Sequence, residues 1–148
     1  MKITPIISRI ITLCPTFTRA AKNYVWAYDS WPHADDSMTL PLCLIDELEH
    51  DSEPNVLANS AIQQRVQERI GIYIAAKIVD GANEPLYTAR AQVRDALLGW
   101  IPNVAGAEYS PMTHVSGKRL TRNEGPDGLT WWLEIFATTS QLKHTYQS

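Results

Sequence analysis

Several residues in this 148-residue chain are of types that do chemistry, and their spacing decides how much chemistry to expect. His33, Asp35 and Asp36 bring an imidazole and two carboxylates close together, a combination that suits a metal ion. Three such residues in a polar stretch read more readily as a hydrated acidic loop. His50, His114 and His144 are scattered, with no H-E-x-x-H pair. Asp46, Glu47, Glu49 and Asp51 offer oxygens to calcium, but without the glycine and ligand spacing of an EF-hand loop; solvated charge is again the preferred reading. Ser116 stands in Val115-Ser116-Gly117-Lys118, which is not a G-x-S-x-G nucleophile turn. Cys14 lies in an apolar stretch, where a thiol is not activated. The chain has neither a Walker loop nor a G-x-G-x-x-G turn. A hydrolase built on paired carboxylates stays open, because pairing in space is invisible in sequence. The expectation is no enzyme, no cofactor and no metal.

Charge is more informative. The formal net charge is −3, which on its own disfavours a general nucleic-acid binder. That figure averages two unlike regions. Residues 29–64 hold eight acids and no Lys or Arg. All 13 basic residues lie in the remainder, with the other eight acids. Lys118, Arg119 and Arg122 cluster near the C-terminus, and Arg90 and Arg94 lie four apart upstream. Solvated charge is the first reading of this cluster and salt bridges across a subunit interface the second. DNA contact, with Trp131 or Trp132 stacking on bases, is the third.

These residues must be positioned by secondary structure. Residues 3–14 read as a helix. Thr4 is the candidate cap, Pro5 occupies the first turn, and Ile3, Ile6, Ile7, Ile10, Ile11 and Cys14 form one stripe. Pro15 ends it. The stretch is too short and too interrupted to span a bilayer or to serve as a signal-peptide core. Tyr24, Trp26 and Tyr28 alternate as in a short strand, with a loop packed over the core as the alternative. Residues 38–45 read as a strand in which Pro41 favours an edge or bulge, followed by an acidic loop over 46–54. Residues 62–66 fit helix or strand. Residues 67–79 alternate as a central strand, apolar on both sides.

Asn83 or Glu84 caps a second helix started by Pro85. Its buried stripe is Leu86, Ala89, Val93, Ala96, Leu97 and Trp100. Residues 112–122 and 129–138 read as a hairpin around a turn-rich 123–128. Trp132 and Phe136 there need cover from a helix or a partner chain. Together these elements predict one α+β domain over 1–148: a mixed, mainly antiparallel sheet, two helices packed against it and a C-terminal β-hairpin. Cys14 and Cys43 read as buried free thiols, with a disulfide as the alternative.

Three segments carry a resemblance. Val93-Arg94-Asp95-Ala96-Leu97-Leu98-Gly99-Trp100-Ile101-Pro102, then Val115-Ser116-Gly117-Lys118-Arg119-Leu120, then Trp131-Trp132-Leu133-Glu134-Ile135-Phe136-Ala137-Thr138 resemble, in order and separation, the tail terminator proteins of tailed bacteriophages. The resemblance covers chiefly residues 70–138, and the aromatic, acidic 23–60 region departs from it. It implies a structural virion protein of the tail or neck, assembled in the host cytoplasm as a homo-hexameric ring. Such a ring caps the tail tube, ends its polymerisation and offers the head–tail connector a docking surface. Its partners are its own copies, the tail-tube protein and the connector. DNA is met only in passage, and no membrane is involved. Another neck or tail component, such as a head–tail joining or tail-tube protein, is the runner-up.

A ring is a heterologous assembly, so two different surfaces of one subunit must fit each other. Segregated charge suits that requirement. The candidate interface residues are Arg90, Arg94, Lys118, Arg119, Arg122, Trp131 and Trp132 on one side. Asp35, Asp36, Glu47 and Glu49 are the candidates on the other.

Overall fold

The computed structural model describes residues 3–19, 22–31, 40–54, 61–79, 83–104, 107–120 and 127–145. Its first helix, α1 (Thr4–Leu13), starts at the expected place but with a different cap. Ile3 takes the cap position and no side chain bonds the free amides; Pro5 lowers the need by lacking one. Ile6, Ile10 and Cys14 are fully buried, so the predicted stripe is the buried face.

Two short strands follow, β1 (Thr18–Arg19) and β2 (Lys22–Asn23), paired antiparallel. Then comes β3 (Val25–Ala27). Only these three residues of the aromatic stretch form strand; Tyr28 opens a 3₁₀ turn through Ser30.

The acidic segment predicted as a loop is strand. β4 (Leu42–Ser52) begins after Pro41 and runs through Asp46, Glu47, Glu49 and Asp51. β5 (Ala61–Val79) is likewise longer than expected, and the helix alternative for residues 62–66 is excluded. Helix α2 (Glu84–Leu97) follows, with Asn83 at the cap position and Pro85 in the first turn. Leu86, Ala89, Val93, Ala96 and Leu97 are its buried residues. Beyond its end Gly99 takes φ +78°, a left-handed conformation that favours glycine. The last pair is β6 (Thr113–Arg119) and β7 (Asp127–Thr145).

Five strands form one mixed sheet in the order β3-β4-β5-β7-β6. Every neighbouring pair is antiparallel except β3 with β4. β5 and β7 pair along their full lengths, from Ala61↔Thr145 to Val79↔Asp127. Backbone bonding between partners explains why polar stretches such as residues 63–65 and 139–141 remain strand without an apolar face.

The two faces of the sheet are covered differently. On one, the helices bury Cys43, Ile45, Ile70, Ile72, Ile74 and Phe136 against Ile6, Ile10, Leu86 and Val93. On the other, Leu42, Leu44 and Ala75 are packed by Tyr24, Trp26, Trp31, Tyr73 and Trp131. The aromatic stretch thus supplies the second cover that β5 requires. Two helices and a mixed sheet ending in a hairpin make the fold α+β, as predicted.

Candidate assembly surface

The centre of the hairpin holds a charged cluster. Alternation along β7 sends Glu134 to the helix side between Trp132 and Phe136. Its side chain is fully buried. Four donors compensate it. Arg90 Nε donates to Oε1 at 2.8 Å, and Arg94 Nη2 reaches Oε1 at 3.1 Å. Trp132 Nε1 donates to Oε1 at 3.1 Å, and His114 Nε2 lies 2.5 Å from Oε2. The Arg90 guanidinium also sits 3.7 Å from the centre of the Trp132 ring. Burial alone would raise the Glu134 carboxyl, but bonds from Arg90 and His114 and the charge of Arg94 outweigh it and hold it below the ordinary range.

This cluster decides what the predicted basic residues can do. Arg90 and Arg94 lie at i and i+4 on α2 and tie that helix to β7. Arg90 is largely buried in the pairing, while Arg94 keeps 41% of its side chain exposed. Lys118 and Arg119 are exposed on β6, an edge strand. Trp132 is half-buried beneath Arg90. Trp131 faces the opposite side, with its ring edge-on to Trp31 at 5.7 Å. Arg122 lies outside the described residues.

Of the acidic candidates, the two described ones sit on β4, toward the other side of the sheet. Glu47 and Glu49 are exposed on β4, and Glu49 pairs with Arg69 at 3.5 Å. Asp46 lies among Asp29 and Glu47; burial first, then their negative charge, raises its carboxyl. Asp35 and Asp36, with the metal-binding alternative at His33, lie outside the described residues. The structure therefore separates β4 from β6 by two strands, β5 and β7.

Glu134 and His114 are the members of the cluster that the sequence reading did not select. The signal for Glu134 was a lone acid in an apolar alternating run. For His114 there was none, since its partner lies 20 residues away. Both thiols are free and buried. Burial, together with the charge of Asp95, pushes Cys14 up to about 12; burial raises Cys43 as well. Neither is a nucleophile near neutral pH. Among the described residues no three His, Cys, Asp or Glu side chains gather as metal ligands. Nor is any helix there long and apolar enough to cross a membrane.

Residues 44–147 match the family described as phage tail terminator protein. The chain belongs to that family. The match takes in β5, α2, β6 and β7 whole and nearly all of β4, a wider span than the 70–138 that carries the resemblance in sequence. Its members are structural phage-tail proteins. Among the solved structures similar to this terminator-family chain is a protein of the virion of a native gene transfer agent particle. The identity is 15% and the TM-score 0.52, over 80% of this chain and 78% of that one. At that identity the likeness concerns the fold. No curated protein matches.

Proposed function

We propose that copies of this chain close into a hexameric ring at the end of the phage tail tube, stop its growth and present a docking surface to the head–tail connector. The observation that carries this reading is the family match over residues 44–147, which spans most of the sheet and the helix packed on it. The role is non-covalent: the ring binds the last tube layer and removes the site at which another layer would add. DNA passes through the lumen during delivery and is not otherwise a partner.

The charge arrangement supports the same reading. Lys118 and Arg119 on β6, with Arg122 and the exposed part of Arg94, form the basic side of the subunit contact. Glu47 and Glu49 on β4, with Asp35 and Asp36, form the acidic side. Arg90 and Trp132 serve mainly to hold β7 and α2 together beneath the basic side.

Negative-stain electron microscopy of the purified protein, alone and added to tail tubes, tests this function. Closed rings of one diameter, seated at tube ends, are expected. Open-ended tubes of this protein would instead indicate a tube component.

A further inference from the structure

Several stretches of strand edge pair with no other strand among the described residues, the outer edge of the three-residue β3 included, and two of them carry opposite charge. One is the outer edge of β6. The other belongs to β4: β3 pairs with it only at Cys43, Leu44 and Ile45, and the Glu47 amide donates to the Asp46 carboxylate, which leaves residues 48–52 without a strand partner on that side. Each edge presents a row of backbone donors and acceptors, and such rows recruit another strand unless blocked. Their direction follows from neighbouring bonds. Leu120 N donates inward to Trp131 O at 2.9 Å, so alternation turns the N–H and C=O of Arg119 outward. On β4, Cys43 N donates outward to Tyr24 O at 3.0 Å.

We propose that neighbouring subunits join by antiparallel strand pairing, the outer edge of β6 in one copy bonding to residues 48–52 of β4 in the next. This rests on the ring reading above and specifies its contact. The occupant of each edge is a second copy of this chain, for three reasons.

The first is polarity. β4 and β7 run one way and β5 and β6 the other. A copy set beside β6 without inversion therefore presents its β4 antiparallel, with both helix layers on the same side. The two edges differ, so the contact is head-to-tail and repeats around a ring.

The second is charge. The register Lys118↔Leu133↔Tyr73↔Leu44 puts Lys118 on the face away from the helices. Glu49 pairs with Arg69 and Asp51 with Gln67, two β5 positions in step with Tyr73, so both acids share that face. The basic edge thus meets the acidic edge on one face.

The third is stagger. Lys118 is level with Leu44 in its own sheet, where β3 blocks the edge. Reaching Glu49 shifts the neighbour by about five residues along the strand, the kind of offset that tilted strands adopt in closed arrangements.

The test is disulfide trapping in the full chain, as purified and in tailed particles that carry it. The variants are Lys118→Cys, Glu49→Cys and the double variant. Within one chain these positions are roughly 20 Å apart, from strand spacing and rise, beyond the ~7 Å Cα limit for a bridge. The native thiols are buried. Under mild oxidation the double variant should give a ladder of cross-linked multimers, and the mixed single variants should give dimers. Each single variant alone should stay uncross-linked. Rings without cross-links would overturn the strand pairing and leave the terminator role standing. Dimers from one single variant alone would show a symmetric contact and also overturn it. Absence of rings, alone and on tubes, would remove both readings. In a second arm, Lys118→Glu or Glu49→Lys should each raise the assembly concentration at least tenfold, and the pair together should restore it. Assembly unchanged by either reversal would count against the contact.

Discussion

Gly117 on β6 stands opposite Glu134 on β7, and a Cβ at residue 117 would lie 2.6 Å from Glu134 Oε2 and 3.0 Å from Trp132 Nε1. The carboxylate rises into the space that glycine leaves, and four donors then hold it there. Gly117→Ala cannot be absorbed by swinging Glu134 aside without breaking those bonds. The variant should fold but lose about 1–3 kcal/mol, measured by urea unfolding. An unchanged midpoint would mean that the carboxylate has freedom to move.

Removing the charge should cost more. Glu134→Gln leaves Arg90 and Arg94 facing a neutral amide in a mostly buried setting. Loss of one partner of such a pair costs roughly 3 kcal/mol, which for a chain of this size lowers Tm by about 10 °C. The same residue gives a pH dependence. Its folded pKa lies below the ordinary value of 4.5. Its stabilisation is therefore complete above that value and is lost as pH falls through the lower folded one. Thermal melts from pH 7 to pH 2 should show an acid loss that Glu134→Gln reduces.

How much of this was legible in the sequence differs by element. The start of α2 and its buried spacing from Leu86 to Leu97 were legible, because one face of that helix is buried and the other wet; Trp100, which continues the same spacing, lies beyond the helix end and Gly99 and is only partly buried. The ends of β4 and β5 were not legible. Residues 46–52 are polar apart from Leu48, and in 61–66 Ile62 and Val66 stand four apart as on a helix; what keeps both stretches extended is the ladder to β5 and β7, which leaves no trace in hydropathy. The site was legible by halves. Arg90 and Arg94 could be placed on one helix face, but their shared acid lies 44 and 40 residues onward. Charge segregation could be read directly, whereas the placement of Glu47 and Glu49 on β4 and of Lys118 and Arg119 on β6, with two strands between, needed the strand order.

The thiols provide an independent check on the core. Cys14 and Cys43 are fully buried and raised in pKa. Neither should react with an aromatic disulfide reagent at pH 8 in the native protein, and both should react in denaturant. Fast labelling of Cys43 in the native state would contradict the packing of β4 beneath α1.

Reversing charge on the basic edge should separate folding from assembly. Lys118→Glu with Arg119→Glu changes two exposed side chains, so stability should move by no more than about 0.5 kcal/mol. Ring formation, followed by size-exclusion chromatography with light scattering, should be lost at concentrations where the parent chain assembles. Intact rings in the double variant would remove the basic edge from the contact.

Tail length is the decisive readout of the terminator role. Particles assembled without this chain should carry tails of irregular and excessive length, with few heads attached, when imaged by electron microscopy. Supplying the protein in trans should restore one length. Tails of normal, uniform length in its absence would contradict the terminator role.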